Sequence, residues 1–206
     1  MTVAGHTFDT RPVTNTAYLP IKRGLDILTS ALGLAIFAIP MLLIAVLIRL
    51  DSPGPALYWS RRAGLDGRAF DMPKFRSMRR DTPTVSSRGL EHPEEWVTGM
   101  GRFLRHTSLD ELPQLWSVFS GKMSFIGPRA ILLEEVDLLA ARSAAGVDIL
   151  RPGITGWAQV NGRDLLSVEE KVALDREYLK HCSISFDVMI TLKTVKRVLT
   201  GANVSH

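Results

Sequence analysis

The 206-residue sequence is poor in residues that build disulfide frameworks, metal centres and nucleic-acid surfaces. It has one cysteine, Cys182, so no internal disulfide forms, and a buried thiol in a reducing compartment is expected. The five histidines are scattered without metal-ligand spacing. The net charge of +4 admits nucleic acid, an anionic membrane or a phosphate-bearing substrate as partner. No nucleic-acid-binding motif accompanies the charge, and aromatic residues make up only 7% of the chain.

The N-terminal region lacks the pattern of a cleaved signal peptide, and residues 1–20 are expected to form a flexible lead. An uncharged run from Ile27 to Ile48 follows, and it is long enough to span a bilayer as a helix. A buried helix of a soluble core is the alternative. Such a helix normally carries a polar stripe, which this run lacks, so the pattern favours the membrane.

Proline interrupts this run and charge flanks it on both sides. Pro40 removes a helix hydrogen bond near the middle, which predicts a kink or a break. Lys22 and Arg23 precede the run and Arg49 follows it, so neither end is marked as the non-cytoplasmic side. A broken helix over residues 21–50 that enters and leaves the same leaflet satisfies both observations. An ordinary kinked transmembrane helix is the alternative.

A cytoplasmic domain over residues 51–206 is predicted to begin with a basic hairpin. Its strands lie at 56–60 and 68–72, and three arginines accompany them. Four more cations follow between Lys74 and Arg80. A solvated basic face, an anion-binding wall and a contact with lipid headgroups all fit these cations.

The remaining predicted elements are mostly helical. A polar loop with a short helix around Glu94 to Val97 is expected over residues 82–100, followed later by an amphipathic helix over 131–145. Residues 167–180 form a predicted helix that opens with a capping box of Ser167 and Glu170. The last helix, over 184–199, is amphipathic and basic, which fits either a membrane surface or ordinary packing.

Two adjacent carboxylates, Asp110 and Glu111, lie in the segment Arg-His-Thr-Ser-Leu-Asp-Glu-Leu-Pro-Gln-Leu at 105–115. Ser108 and Glu111 have the spacing of a capping box, which predicts Asp110 in the first turn of a helix. Free N–H groups there favour an ionised carboxylate. A carboxylate kept ionised among cations suits a phosphoryl nucleophile or a divalent-metal ligand. A capped helix with surface acids is the alternative.

A second informative segment, residues 151–163, combines three glycines and two arginines with Trp157, Gln159 and Asn161. Such a loop brings N–H groups and guanidinium forks to a diphosphate, while the tryptophan packs on a ring. A structural turn with a core tryptophan is the alternative.

The order of the motifs resembles the bacterial sugar transferase family, the monotopic phosphoglycosyl transferases. The motifs are Lys-Arg-x-x-Asp at 22–26, Lys-Phe-Arg-Ser-Met at 74–78, the segment 105–115, Ser-Phe-Ile-Gly-Pro-Arg at 124–129 and the segment 151–163. The resemblance runs from about Lys22 to the C-terminus, and the short N-terminal region is similar to that of the minimal members.

This resemblance implies an α+β, mainly helical fold that is membrane-monotopic, with a Pro40-broken re-entrant helix, a small β-hairpin and amphipathic interfacial helices. It implies transfer of a sugar-1-phosphate from a nucleoside diphosphate sugar, usually a UDP-sugar, to membrane polyprenyl phosphate. The reaction would take place at the cytoplasmic face of the inner membrane, as the first membrane step of glycoconjugate or exopolysaccharide synthesis. The sugar, the pathway and the oligomeric state stay open.

The resemblance also assigns roles to residues. It implies that Asp110 is the nucleophile of a covalent phosphosugar intermediate, and that Glu111 serves positioning. Both acids would hold Mg²⁺, the expected cofactor. The phosphate- and substrate-binding candidates are Lys74, Arg105, Arg129, Arg151, Gln159, Asn161, Arg163, Asp175 and Tyr178.

Two other functional classes compete with this enzyme. A catalytically inactive membrane scaffold of the same fold is one, and the intact pair Asp110 and Glu111 among basic residues argues against it. A basic nucleic-acid-binding protein is the other, and it leaves the uncharged run unexplained.

Overall fold

The computed structural model of the protein describes residues 2–3, 6–7, 18–82, 92–162 and 165–200, which form a mainly helical fold with small sheets. This confirms the predicted α+β class. The helices are α1 (Tyr18–Asp51), α2 (Gly99–Thr107), α3 (Gln114–Phe119), α4 (Val136–Ala144), α5 (Trp157–Val160), α6 (Val168–His181) and α7 (Ile184–Thr200). The strands are β1 (Thr2–Val3), β2 (His6–Thr7), β3 (Leu57–Ala63), β4 (Ala69–Phe75), β5 (Ser124–Ile126) and β6 (Gly153–Thr155). Short 3-10 turns lie at Leu65–Gly67, Pro93–Trp96, Leu109–Glu111 and Val147–Ile149.

Helix α1 is the long apolar helix that the sequence predicted. It spans 34 residues, which corresponds to about 51 Å at the usual rise. It runs through Pro40 as one helix, so the predicted break is absent and a kink stays a prediction. Proline itself adopts a helical φ, so the loss of one hydrogen bond does not have to end a helix. Most large apolar side chains of α1 are exposed, including Ile36, Ile39 and Leu42. A water-facing helix rarely shows such a surface.

The first half of α1 docks on the rest of the fold through polar contacts. Four buried side chains spaced four residues apart mark its packed face: Tyr18, Lys22, Asp26 and Ser30. Lys22 Nζ lies 2.6 Å from Asp187 Oδ2 on α7. Asp26 Oδ1 accepts a 3.1 Å hydrogen bond from the Phe125 N–H on β5. These contacts fix the direction of the helix as well as its position.

The second half of α1 is attached to the same folded unit. Ile44 and Ile48 are buried in an apolar cluster with residues of β4 and α2. Arg76, just after β4, donates to the main-chain carbonyls of Ser52 at 2.7 Å and Pro53 at 2.8 Å. The guanidinium therefore satisfies carbonyls that follow the C-terminus of α1.

Strands β3 and β4 form the predicted antiparallel hairpin, with each strand longer than expected. Tyr58 pairs with Lys74, and Arg62 pairs with Phe70. Gly67 in the connecting turn has a φ of 69°, a backbone conformation that favours glycine. Because paired residues and residues two apart share a face of a sheet, Lys74 and Arg62 lie on the same face of the hairpin.

The segment around the two carboxylates differs from the predicted helix start. Thr98 caps α2, and its hydroxyl accepts a 2.9 Å hydrogen bond from the Gly101 N–H. Helix α2 therefore begins inside the predicted polar loop. Ser108 has a left-handed backbone with φ of 56°, ends α2 and makes no side-chain capping bond. The predicted capping box of Ser108 and Glu111 is wrong, because an N-cap requires an extended backbone that Ser108 does not adopt.

The glycine-rich segment at 151–163 is more ordered than the predicted loop. It contains β6, which pairs in parallel with β5, and the short helix α5. A Cβ at Gly153 would overlap the main chain of Gly127, so these glycines allow two backbones to touch. The glycines that suggested a loop therefore allow the two main chains to pack closely.

The C-terminal helices follow the sequence pattern closely. At the start of α6, Ser167 Oγ accepts from the Glu170 N–H at 3.2 Å, and Glu170 Oε2 accepts from the Ser167 N–H at 2.7 Å. The predicted capping box is confirmed.

Helix α4 begins at Val136, five residues later than predicted. Cys182, between α6 and α7, is buried, as expected.

We predict that Gly101→Ala destabilises the protein, because a Cβ there would overlap the Ser77 carbonyl and force α2 outward. The expected loss is about 1–3 kcal/mol, measured as a lower thermal unfolding midpoint in detergent. Gly24→Ala is the matched control, since a Cβ at that helical glycine meets nothing within 4 Å. Equal midpoints for the two variants would contradict the close packing of α2.

Candidate active site

The two adjacent carboxylates lie on the 3-10 turn Leu109–Glu111 between α2 and α3. Leu109 and Leu112 pack against the apolar cluster that contains Ile44 and Ile48 of α1. Asp110 and Glu111 are both half-buried. The turn that carries the carboxylates is thus anchored on an apolar cluster shared by α1, β4 and α2.

Basic side chains from two other elements converge on this turn. Lys74 on β4 forms a 2.6 Å ion pair with Glu111 Oε1, and the two side chains are 23% and 33% exposed. Arg105 on α2 donates from Nε to Ser77 Oγ at 3.0 Å. The charges of Lys74 and Arg105 both act on Asp110. The structure therefore brings together four of the predicted site residues.

Burial and charge set the protonation of Asp110. Burial raises the pKa of this carboxyl from 3.8 to about 6, and the negative charge of Glu111 adds to the rise. Lys74 and Arg105 oppose it. The carboxylate is therefore mostly ionised at neutral pH, while its elevated pKa makes it more basic than an ordinary aspartate.

The predicted residues Arg129 and Asp175 are joined through a third side chain. Arg142 forms a buried 2.7 Å ion pair with Asp175 and donates to the Arg129 carbonyl at 2.8 Å. Arg62 on β3 lies close enough to Arg129 for the two charges to interact. Asp175 thus supports the main chain of Arg129, and its role in binding substrate stays a prediction.

Three predicted residues of the glycine-rich segment donate to main-chain carbonyls. Arg151 Nε donates to Gly121 at 2.9 Å, Gln159 Nε2 to Ile154 at 3.0 Å, and Asn161 Nδ2 to Trp157 at 2.8 Å. Arg163 lies outside the described residues. The binding roles of all four residues stay predictions.

Trp157 is engaged within the protein. Its Nε1 donates to Glu177 Oε2 at 2.9 Å, and Lys193 Nζ lies 4.3 Å from the ring centroid. The Phe186 ring packs edge-on, with the centroids 5.0 Å apart. These contacts favour the structural alternative for Trp157 over packing on a substrate ring.

Tyr178 contributes to the docking of α1. Its hydroxyl donates to Asp187 Oδ1 at 2.7 Å, and the other oxygen of Asp187 accepts from Lys22 and from Tyr18. No role for Asp187 was predicted from the sequence. The sequence feature that could have indicated this role is a single acid near the start of the amphipathic helix α7, which can pair with a basic residue ahead of the apolar run. A substrate role for Tyr178 stays a prediction.

Comparison with known proteins identifies the family. The bacterial sugar transferase family matches residues 17–201. The chain belongs to this family.

This sugar transferase is 38% identical over 189 residues to the UDP-N-acetylgalactosamine-undecaprenyl-phosphate N-acetylgalactosaminephosphotransferase of Aeromonas hydrophila, covering 89% of this chain and 45% of that protein. It is 40% identical over 191 residues to the UDP-glucose:undecaprenyl-phosphate glucose-1-phosphate transferase of Caulobacter vibrioides, covering 88% and 71%. It is 36% identical over 187 residues to an uncharacterized sugar transferase of Bacillus subtilis, covering 90% and 91%.

The two carboxylates of this sugar transferase fit one mode of magnesium binding. In the part of the chain that the structure describes, no group of three or more His, Cys, Asp or Glu side chains is placed to hold a metal. Mg²⁺ is commonly held by one or two carboxylates, with water and substrate phosphates as the other ligands. Asp110 and Glu111 match that mode, and Mg²⁺ stays a prediction.

We predict that Asp110→Asn stabilises this sugar transferase at pH 8 relative to the wild type. The pKa of Asp110 is about 6 in the folded protein and 3.8 in the unfolded chain. Ionisation of Asp110 therefore lowers the free energy of unfolding. This loss is complete above pH 6 and disappears below about pH 4, where the carboxyl is protonated in both the folded and the unfolded protein. The expected gain is on the order of 1–2 kcal/mol after solvent screening.

Thermal unfolding midpoints from pH 4 to pH 8 test this prediction. Asp66→Asn, in the exposed hairpin turn, is the matched control. A difference between Asp110→Asn and wild type that does not grow with pH would contradict the raised pKa.

Proposed function

We propose that this sugar transferase moves a sugar-1-phosphate from a UDP-sugar to membrane polyprenyl phosphate through a covalent intermediate on Asp110. The observation that carries the proposal is the half-buried Asp110 carboxylate beside Lys74 and Arg105, whose charges lower its pKa; at about 6, this pKa leaves the carboxylate mostly ionised at neutral pH. The names of the Aeromonas and Caulobacter relatives, which specify UDP-sugars and undecaprenyl phosphate, support the substrate classes.

In the first step, one oxygen of the Asp110 carboxylate attacks the phosphorus that carries the sugar. The bond from this phosphorus to the bridging oxygen of the diphosphate breaks, and the bridging oxygen leaves with the nucleoside monophosphate and the bonding electron pair. The product is an acyl phosphate that joins Asp110 to the sugar-1-phosphate. Because an anion attacks an anion, the step depends on nearby cations.

In the second step, a phosphate oxygen of polyprenyl phosphate attacks the same phosphorus. The bond between phosphorus and Asp110 breaks, and its electron pair returns to the carboxylate. The product is a polyprenyl diphosphate sugar, and the enzyme is regenerated. Neither step transfers a proton to or from Asp110, so the ionised form serves both as nucleophile and as leaving group.

The surrounding residues have distinct parts in this scheme. Lys74 and Arg105 neutralise the phosphoryl oxygens and keep Asp110 ionised. Glu111 holds Lys74 in place through their 2.6 Å ion pair. Mg²⁺ held by Asp110 and Glu111 would supply further neutralisation of the diphosphate.

We also propose that the protein is monotopic, with α1 bending at Pro40 so that it enters and leaves one leaflet at the cytoplasmic face of the inner membrane. Its support is that both halves of α1 are attached to the same folded unit, through Lys22 and Asp187 at one end and Arg76 at the other. A helix held at both ends by one domain has both ends on one side of a bilayer. Residues 35–40 between these attachments are exposed on every side, as insertion into lipid requires.

Release of UMP in detergent, with Mg²⁺ and a panel of UDP-sugars, tests the proposed reaction. With polyprenyl phosphate present, we expect continuous release for at least one sugar. Without the acceptor, release should stop at about one UMP per protein, because the covalent intermediate accumulates. No release with any sugar would favour the inactive scaffold.

We predict that charge changes beside Asp110 move the acid limb of the pH–rate profile in opposite directions. The wild-type rate should fall as the pH drops through the pKa of Asp110, which is about 6 without Mg²⁺ and lower when Mg²⁺ is bound. Lys74→Met removes a charge that lowers the Asp110 pKa, so the limb moves to higher pH. Glu111→Gln removes a charge that raises it, so the limb moves to lower pH.

The measurement is the pH of half-maximal kcat/KM, which is independent of the absolute rate of each variant. Asp66→Asn is the matched control and should leave the limb in place. Shifts of both variants in one direction would rule out Asp110 as the titrating group.

A further inference from the structure

Asp175 on α6 is buried too deeply to reach a substrate. Its side chain is 2% exposed, and the side chain of its partner Arg142 on α4 is 10% exposed. Asp175 Oδ2 accepts from Arg142 Nε at 2.9 Å and from Nη2 at 2.7 Å. A carboxylate at this depth is costly unless it is paired, and Arg142 supplies the pair. Asp175 therefore acts on the rest of the protein through Arg142.

This ion pair sets the direction of a further hydrogen bond. The guanidinium group is planar and holds its N–H donors in a fixed fork. With Nε and Nη2 on Asp175, the remaining nitrogen, Nη1, donates to the Arg129 carbonyl oxygen at 2.8 Å. Asp175 thus fixes, through one intervening side chain, the place of the Arg129 main chain.

The segment 128–132 carries Arg129 and crosses from one small sheet to another. The Gly153 N–H of β6 donates to the first carbonyl of the segment at 2.8 Å, and the Ala63 N–H of β3 donates to its fourth at 3.0 Å. The Arg129 carbonyl lies between these two bonds. Arg142 therefore holds the segment at a third point, between the two sheets.

This segment also packs beside the strand of Lys74. Ala130 is buried in the apolar cluster that contains Met72, and Met72 lies two residues before Lys74 on β4. The family resemblance implies that Lys74 and Arg129 both bind phosphate. The main chains that carry these two residues therefore share one apolar cluster.

We propose that Asp175 and Arg142 are positioning residues for the reaction, which hold the Arg129 main chain in place for the binding of a substrate phosphoryl group. Asp175 itself does not touch the substrate. The proposal deepens the proposed function, and it rests on that function and on the phosphate-binding role that the resemblance implies for Arg129.

A double-mutant cycle on kcat/KM for UMP release tests whether Asp175 acts through Arg129. The variants are Asp175→Asn, Arg129→Gln and the two combined, measured with a UDP-sugar that supports release. We expect Asp175→Asn to lower kcat/KM about tenfold to hundredfold in the wild-type background, because a binding group is displaced. In the Arg129→Gln background, the same change should cost less than about twofold. If Asp175→Asn does not fold, Arg142→Lys takes its place, since lysine keeps the ion pair but lacks the fork that also reaches Arg129.

Arg176→Gln is the matched control. Arg176 is the next residue of α6, and its Nη1 donates to the Ala145 carbonyl at 2.6 Å, so it ties α6 to the end of α4 at a different carbonyl. The factor that this variant costs should be the same in both backgrounds, as expected for a contact that only supports the fold. A loss in Asp175→Asn that is equally large in both backgrounds overturns the proposal, as does an Arg129→Gln variant with the kcat/KM of wild type.

Amide hydrogen exchange separates this proposal from the proposed reaction. The Gly153 and Ala63 amides donate to the segment 128–132, so both should exchange faster in Asp175→Asn than in Arg176→Gln. Equal exchange in the two variants would overturn the role of Asp175 in holding the segment. A wild type that releases no UMP, together with faster exchange in Asp175→Asn, would keep that role and sink the proposed reaction.

Discussion

Keeping a half-buried carboxylate ionised is the constraint on which the candidate site depends. Burial raises the pKa of Asp110, and the charge of Glu111 raises it further. Lys74 and Arg105 lower it, and the result is a pKa of about 6. The balance yields a carboxylate that is charged at pH 7 and more basic than usual. Under the proposed reaction, both properties serve attack on a phosphorus that already carries negative charge.

The long apolar helix and the carboxylate turn share one apolar cluster. Leu109 and Leu112 flank the two acids and pack against the cluster that Ile44 and Ile48 of α1 form with Phe75 and Leu104. At its other end, α1 is held by the part-buried hydrogen bonds of Asp187. With α1 in the membrane, as proposed, this arrangement would hold the nucleophile close to the level of the lipid phosphate that it must meet.

Local patterns in the sequence predicted much of the fold. The apolar helix, the hairpin and the capping box at Ser167 depend on neighbours in the chain, and each was confirmed. Spacing alone suggested a cap at Ser108, where the backbone is in fact left-handed. Contacts between distant residues were missed, such as the close approach of Gly153 to Gly127, which shows only in three dimensions. The resemblance implied Lys74, Arg105 and Arg129 as the basic residues around Asp110 and Glu111; Lys74 and Arg105 do converge on the two acids, and the roles of all five residues stay predictions.

Intact-protein mass spectrometry tests the central claim most directly. Wild type and Asp110→Asn would each be incubated with Mg²⁺ and one UDP-sugar at a time, without acceptor. The account predicts a mass increase of one sugar-phosphate on wild type only, with at least one sugar, and its loss when polyprenyl phosphate is added. Transfer to the acceptor by a wild type that never carries the added mass, or an equal adduct on Asp110→Asn, would contradict a covalent step on Asp110.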